Sequence, residues 1–152
     1  MRYWLMKSEP SSFSLEDLKA CPQQTTMWDG VRNYQARNFL RDEFKRGDQA
    51  FFYHSSCAEP GIVAIVEVVK EAHPDPTALD PENHHYDPRA QPDSPRWFVV
   101  DVTLKRALRR TIGLAELKAH EKLAGMRLLA PGNRLSVMPV SAEEWRYILA
   151  LE

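Results

Sequence analysis

The chain has 152 residues, of which 43% are hydrophobic and 27% charged, and its formal net charge at pH 7 is −1. This length and balance are typical of one globular domain with its own core, so we expect a single domain over residues 1–152. The near-neutral charge argues against a protein that holds nucleic acid through phosphates alone, because such proteins carry a strong basic excess.

No apolar segment reaches the roughly 20 residues that cross a bilayer, so we expect no membrane association. The apolar stretch at the N-terminus is too short for a signal peptide, because Lys7 interrupts it. We therefore expect a cytoplasmic protein. Cys21 and Cys57 have no metal-ligand spacing, and we expect both to be reduced thiols.

In the first third of the chain, two helices are predicted between two strands. Ser14 and Asp17 have the spacing of a capping box, so a helix begins after Ser14. Asn33–Phe44 places apolar side chains at three- and four-residue spacing, which predicts an amphipathic helix. The flanking strands are Arg2–Met6 and Gln49–His54.

Two further strands enclose a long loop. Ile62–Val69 is β-branched and nearly continuous, which predicts a strand buried on both faces. The prolines between Pro74 and Pro95 exclude a central strand there, so that stretch is predicted to be a loop. Trp97–Leu104 alternates apolar and polar residues, as a half-buried strand does.

One strand and two helices complete the predicted elements. The strand is Arg134–Val140, and the helices are Leu114–His120 and a segment after Ser141, whose capping box uses Glu144. Strands and helices do not alternate strictly. The sequence therefore predicts an α+β fold, a mixed β-barrel of five to six strands surrounded by short helices.

The segment Trp28-Asp29-Gly30-Val31-Arg32-Asn33-Tyr34 combines a flat aromatic ring with a flexible backbone and polar donors. Trp28 could stack on a nucleobase, and Gly30 permits a close approach. Arg32 and Asn33 could hydrogen-bond a base edge. A turn, a helix capped by Asn33 and a core tryptophan would explain the same residues.

Two strand ends carry polar side chains. In Phe52-Tyr53-His54-Ser55-Ser56, Tyr53 and Ser55 share one face and His54 takes the other. Ligands are often placed where a strand opens into a loop, although a buried tyrosine and an incidental histidine are the alternative. Lys7-Ser8-Glu9-Pro10 ends the first strand and concerns binding only if it lies near Trp28.

A short basic cluster has two explanations. It comprises Lys105, Arg106, Arg109 and Arg110. These residues form either a solvated hairpin or an edge that contacts phosphates weakly.

The remaining polar motifs predict no cofactor and no metal. His84 and His85 lie near carboxylates, but their spacing matches no standard zinc pattern. The sequence also contains no nucleophile elbow, no phosphate-binding glycine loop and no zinc-deaminase signature.

Five segments, in this order, resemble the EVE domain family across essentially the whole chain. They are Tyr3–Pro10, Trp28–Asn38, Phe52–Ser55, Glu59–Val63 and Arg134–Val137. Ala64 is a small departure, since many relatives have glycine there. The resemblance implies a PUA-like barrel, related in fold to YTH domains, with a pocket for one base. It also implies that some relatives bind modified cytosines in DNA, that others are suspected RNA readers, and that none is catalytic.

Carried onto this sequence, the resemblance implies a set of ligand-binding residues. They are Lys7, Ser8, Glu9, Trp28, Gly30, Val31, Arg32, Asn33, Tyr53, His54 and Ser55, with Trp97 and Ser136 as weaker candidates. The expected protein is a monomeric, non-catalytic reader. Its aromatic pocket would take up one flipped, modified base, either a modified cytosine in DNA or a modified base in RNA.

Two other functions remain open at this point. His54 with Glu9 or Asp29 could form the acid–base pair of a small-molecule or nucleotide enzyme. A protein-interaction module would need an exposed apolar patch, and the sequence shows none clearly.

Overall fold

The computed structural model describes all residues 1–152 and contains six strands and four α-helices. The strands are β1 (Tyr3–Ser8), β2 (Thr25–Met27), β3 (Gln49–His54), β4 (Gly61–Pro74), β5 (Phe98–Gly113) and β6 (Val137–Val140). The helices are α1 (Leu15–Ala20), α2 (Tyr34–Asn38), α3 (Leu114–Ala119) and α4 (Ala142–Leu151). Short 3-10 turns lie at Pro22–Gln24, Pro76–Leu79, Glu121–Leu123 and Arg127–Leu129.

The six strands form one mixed sheet in the order β2-β5-β4-β3-β1-β6. β1 pairs with β3 in parallel, and the other neighbours are antiparallel. The α+β class and the strand number are confirmed. The barrel needs a correction, because the edge strands β2 and β6 do not pair with each other and the sheet stays open.

β4 and β5 extend well beyond their predicted ends and form the longest pairing in the sheet. The basic residues 105–110 lie inside β5, not in a hairpin turn. The pairing shifts register four times, between Ile62 and His73 of β4. Hydrogen bonds to the partner strand satisfy the backbone N–H and C=O groups even where both faces of the strand are polar. The strands therefore continue past the point where the alternation of hydrophobic residues ends.

The predicted helix Asn33–Phe44 is divided in two. Asn33 caps α2, since its side chain accepts a hydrogen bond from Ala36 N, and a π-helical turn follows at Phe39–Glu43. The capping boxes predicted at Ser14 and Ser141 are both present. Local capping chemistry therefore placed the helix starts correctly, while the interior of the second helix departs from regular geometry.

Aromatic side chains fill the core on both sides of β3. The ring of Phe51 stacks on Trp145 of α4, with centroids 3.9 Å apart. Phe44 stacks on Trp4 at 4.3 Å, and the indole of Trp4 donates a hydrogen bond to the buried Asp48 at 3.0 Å. This core fixes β1 against β3 and thereby sets where both strands end.

The long connection between β4 and β5 is the loop that its prolines predict. It folds back on itself around a small buried cluster of Ala78, Ala90 and Trp97. Asp75, at the start of the connection, is buried. Cys21 and Cys57 are free thiols, as expected, and none of the helices is long and apolar enough to cross a membrane.

Candidate ligand-binding cleft

A cleft in two parts opens where β1 and β3 end. The larger part has a volume of about 520 Å³ and is lined by Lys7, Ser8, Glu9, Ser12, Phe13, Asp29, Gly30, Ser55, Asn83, His84, His85, Arg134, Leu135 and Ser136. The smaller part has a volume of about 280 Å³ and is lined by Lys7, Ser8, Phe13, Thr26, Met27, Trp28 and Asp29. The two parts share four residues and are called the cleft below.

Backbone hydrogen bonds join the strand ends that form the floor of the cleft. Ser55 N donates to Ser8 O at 3.0 Å, and Lys7 N donates to Ser136 O at 2.8 Å. The hydroxyl of Ser8 donates to Phe13 O at 2.6 Å. The parallel pairing of β1 with β3 brings residues 8 and 55 together, and the antiparallel pairing of β1 with β6 brings residue 136 beside them. Lys7 and Ser8 line the smaller part together with Trp28, which is the condition that the sequence set for a role of Lys7–Glu9 in binding.

Trp28 is both a core residue and a wall of the smaller part. Its side chain is only 6% exposed, and its ring meets the edge of Phe52 with centroids 5.3 Å apart. Trp28 N donates to Val100 O at 2.8 Å, so the segment continues the edge of β2. The indole therefore presents a limited surface to the cleft, next to Phe13.

Gly30 is held under the ring of His85. Its φ is +77°, and a Cβ at this position would lie 2.5 Å from His85 Cε1. His85 Nδ1 is buried without a hydrogen-bond partner. Burial, and after it the charge of His84, lowers the pKa of His85, so the ring is neutral near pH 7. Only glycine combines this φ with room for the imidazole.

Arg32 and Asp75 hold the long loop against this segment. The carboxylate of Asp75 accepts hydrogen bonds from Gly30 N and Arg32 Nη1, both at 3.0 Å, and from Thr77 N at 2.8 Å. Although burial acts to raise it, a hydrogen bond from the Thr77 hydroxyl, together with these three, keeps the pKa of Asp75 below its usual range. Arg32 also donates to His85 O at 2.8 Å. Its guanidinium is committed to the loop and does not line the cleft.

Two opposite charges in the cleft have no side-chain partner within the chain. Lys7 and Asp29 line both parts, and neither side chain forms an ion pair or a hydrogen bond to another side chain. The ammonium of Lys7 lies 6.0 Å from the ring centroid of Tyr53. Desolvation lowers the pKa of Lys7. Desolvation, and then the charge of Asp75, raises the pKa of Asp29.

His54 has a structural role in this fold. Its Nε2 accepts a hydrogen bond from Leu15 N at 3.1 Å, and its ring meets Phe52 edge-on at 5.5 Å. Burial lowers the pKa of His54. The ring makes no hydrogen bond to Glu9 or Asp29, so the acid–base pair considered from the sequence is absent.

Three more residues implied by the resemblance lie outside the cleft because the core or a helix uses them. Val31 is 4% exposed and Tyr53 is 3% exposed, and both belong to the main hydrophobic core. Burial also raises the pKa of Tyr53. Asn33 uses its side-chain oxygen to cap α2.

Trp97 also lies outside the cleft. It belongs to the separate cluster under the long loop, where its Nε1 donates to Asp87 at 2.7 Å. Its ring stacks on Tyr34 with centroids 4.9 Å apart. It therefore cannot face Trp28 across one base in this arrangement.

The structure brings together seven of the implied residues and adds others. The seven are Lys7, Ser8, Glu9, Trp28, Gly30, Ser55 and Ser136. The additional side chains that matter most are Phe13, Asp29, His85 and Arg134. In the sequence, the neighbours His84 and His85 stood out only as weak metal candidates. The structure contains no group of three or more His, Cys, Asp or Glu side chains placed to hold a metal.

The basic residues of β5 are mostly neutralised. Lys105 pairs with Glu67 at 3.1 Å, Arg106 with Glu152 at 2.7 Å and Arg110 with Glu116 at 2.7 Å. The hydrogen bond from Arg106 is the main reason why the pKa of Glu152 falls to about 2. In this cluster, only the guanidinium of Arg109 has no carboxylate partner.

Comparison with known proteins matches the whole chain. The EVE domain model matches residues 2–151. The chain is 51% identical over 166 residues to thymocyte nuclear protein 1 of Homo sapiens, covering 99% of this chain and 73% of that protein. A protein of Pseudomonas syringae has a similar crystal structure, with 52% identity, a TM-score of 0.93 and 98% of both chains covered.

A second similar structure contains nucleic acid. It is the human THYN1 protein in complex with DNA containing 5-methylcytosine, with 48% identity, a TM-score of 0.93, and 99% of this chain and 97% of that chain covered. The expected cytoplasmic location is wrong on this comparison, because the relatives carry the name of a nuclear protein. The predicted resemblance is confirmed along the full length, and the chain belongs to the EVE domain family.

Proposed function

We propose that this protein binds a modified nucleobase of DNA or RNA in the cleft beside Trp28 and does not transform it. The observation that carries the proposal is the human THYN1 protein, which is 48% identical over 99% of this chain and has been crystallised with DNA containing 5-methylcytosine. The cleft gives this chain a place where such a base can be held.

The smaller part of the cleft supplies the apolar contact. Trp28 and Phe13 both line it, and stacking of a base on an aromatic ring contributes about 1–3 kcal/mol. Trp28 is only 6% exposed and Trp97 lies elsewhere, so the base stacks on one aromatic wall and not between two facing rings. A methyl group fitted beside that wall gives roughly 10- to 200-fold discrimination.

The unpartnered charges of Lys7 and Asp29 supply the polar contacts. The carboxylate of Asp29 can accept a hydrogen bond from an exocyclic amino group, and the ammonium of Lys7 can donate to a ring acceptor. Cytosine presents both kinds of group on one edge. Together these two contacts, worth about 1–3 kcal/mol as a bidentate pair, favour a base of the cytosine type over thymine, which lacks the amino group.

The base must leave its stack to reach these groups. Unstacking costs a few kcal/mol, and least where the base is unpaired or mismatched. We therefore expect binding of one modified base to be weak, micromolar at best, and to tighten when the target base faces a mismatch. The contacts proposed for Lys7 and Asp29 hold the base without a reaction. His54, the candidate general base of the enzymatic alternative, already accepts a hydrogen bond from Leu15 N.

The test is a titration of matched oligonucleotides that differ only in one cytosine or 5-methylcytosine. We expect the wild type to prefer the methylated form by at least about tenfold. Asp29→Asn should weaken binding of both forms by about tenfold, because the neutral amide oxygen of asparagine is a weaker acceptor for the amino group than the carboxylate is. Asp93→Asn, at an exposed position outside the cleft, is the matched control and should bind as the wild type does.

Two results would overturn the proposal. Equal affinity for methylated and unmethylated oligonucleotides would show that the protein does not recognise the modification. Unchanged affinity in Asp29→Asn would show that the base does not bind in the cleft. Mass spectrometry of the recovered oligonucleotide should show unchanged base masses after prolonged incubation. A new product would establish an enzyme.

A further inference from the structure

A shallow groove opens beside the cleft and is continuous with it. Its volume is about 320 Å³, and it is lined by Asn33, Gln35, Arg127, Ala130, Pro131, Gly132, Asn133, Arg134 and Leu135. Arg134 and Leu135 line both the groove and the larger part of the cleft. No aspartate or glutamate lines the groove, in a chain whose formal net charge is −1.

Two exposed arginines give the groove its charge. Arg127 and Arg134 form no ion pair with any carboxylate of the chain. The guanidinium of Arg127 lies 5.9 Å from the ring centroid of Phe39. Their neighbours Leu128 and Leu135 are 8% and 7% exposed, so buried side chains anchor the backbone next to each arginine.

Neutral donors lie between these charges. Asn33 uses its Oδ1 to cap α2, which leaves its amide NH₂ group available to an acceptor. Gln35 is exposed at the same groove. Arginine and side-chain amides are the groups that proteins commonly use to contact phosphate oxygens. The groove is therefore rich in donors and has no competing anion.

We propose that this groove holds phosphodiester groups of the nucleic-acid strand adjacent to the base in the cleft, with Arg127 and Arg134 as the charged contacts. The inference rests on the proposed function and adds the path of the strand. It places the phosphate contacts on residues 127–135 and not on β5, where Lys105, Arg106 and Arg110 are already paired with carboxylates.

The test measures affinity against salt concentration by fluorescence anisotropy, for methylated and unmethylated oligonucleotides. Arg127→Gln and Arg134→Gln should each lower the slope of log K against log salt by about 0.7–0.9, and the double variant by about twice that. The ratio of affinities for methylated and unmethylated forms should not change in Arg127→Gln. Arg109→Gln, which removes the unpaired arginine of β5, is the matched control and should keep the wild-type slope.

Neutral methylphosphonate linkages beside the target base provide the second arm. They should weaken binding to the wild type and have little further effect on the double variant, because both changes remove the same contacts. Undiminished binding of the methylphosphonate oligonucleotide to the wild type would show that the groove holds no phosphodiester group and would overturn the proposal.

The outcomes separate the two proposals. The proposed phosphate contacts of the groove would be wrong if the salt slope were unchanged in both arginine variants or reduced in Arg109→Gln. Neither result would affect the discrimination between methylated and unmethylated oligonucleotides. Loss of discrimination between the two oligonucleotides in the wild type would overturn the proposed function, whatever the salt slopes show.

Discussion

The guanidinium of Arg32 lies 3.0 Å from the carboxylate of Asp75, and the two residues are 43 positions apart in the chain. The side chain of Asp75 is fully buried, and that of Arg32 is 24% exposed. Through this pair the long loop between β4 and β5 becomes one wall of the cleft. The conformation of the segment that follows Trp28 thus depends on Asp75, a residue far from it in the sequence.

Asp75→Ala should lower the free energy of unfolding by about 3–5 kcal/mol, because it leaves the partly buried guanidinium of Arg32 without a carboxylate and two backbone N–H groups without an acceptor. Urea denaturation measures the change. Asp80→Ala, in the same loop, is the matched control. It removes an exposed carboxylate that accepts a hydrogen bond from Glu82 N at 2.9 Å, and should cost less than about 1 kcal/mol. Equal costs for the two variants would show that Asp75 does not hold the loop.

Gly30→Ala should destabilise the protein more than Gly132→Ala does. The φ values of the two glycines are nearly equal, +77° and +75°, so both variants incur the cost of about 1–2 kcal/mol for a left-handed backbone. Only at Gly30 would the new Cβ also meet the His85 ring, 2.5 Å away, whereas nothing lies within 4 Å at Gly132. Thermal unfolding of both variants tests this, and an equal loss would mean that His85 moves aside freely.

Trp28→Phe should reduce both stability and base binding. The smaller ring leaves part of the indole site empty, and we expect a loss of about 1–3 kcal/mol in the free energy of unfolding, below the 3–5 kcal/mol of truncation to alanine. Affinity for the methylated oligonucleotide should fall by up to about tenfold, because the smaller ring offers less surface for stacking.

Trp145→Phe is the matched control for Trp28. Its indole is 3% exposed and packs on Phe51, outside the cleft. This variant should lose stability and keep the wild-type affinity. Unchanged binding in Trp28→Phe would mean that the indole serves the core alone.

His54→Gln should make stability less dependent on pH. Burial lowers the pKa of His54 in the folded state, so the unfolded chain takes up a proton first as the pH falls. The folded protein therefore loses stability as the pH drops through the ordinary value of 6.5 towards the lowered one. The glutamine oxygen can still accept the hydrogen bond from Leu15 N but does not titrate.

Urea denaturation at about pH 7.5 and about pH 5.5 measures this effect. The loss of stability between the two values should be smaller in His54→Gln than in the wild type. Some dependence should remain, since burial lowers the pKa of His85 in the same direction. A full pH dependence in the variant would contradict a half-buried His54 whose pKa is lowered in the folded state.

The sequence by itself determined the features that depend on near neighbours. The capping boxes at Ser14 and Ser141, the cap at Asn33 and the bounds of Gln49–His54 follow from chemistry within a few residues, and the structure confirms them. The resemblance to the EVE family further identified five segments in order, and among them the strand ends that lie together in the cleft.

Only the tertiary structure decided how the polar side chains are used. The resemblance implied Arg32 as a base contact, but its guanidinium pairs with Asp75. His85, which the sequence offered only as a weak metal candidate, packs on Gly30. Asp29, which the sequence suggested only as an acid–base partner of His54, lies in the cleft without a side-chain partner. Each outcome depends on residues brought together from distant parts of the chain, and hydrophobic periodicity and capping report only on residues a few positions apart.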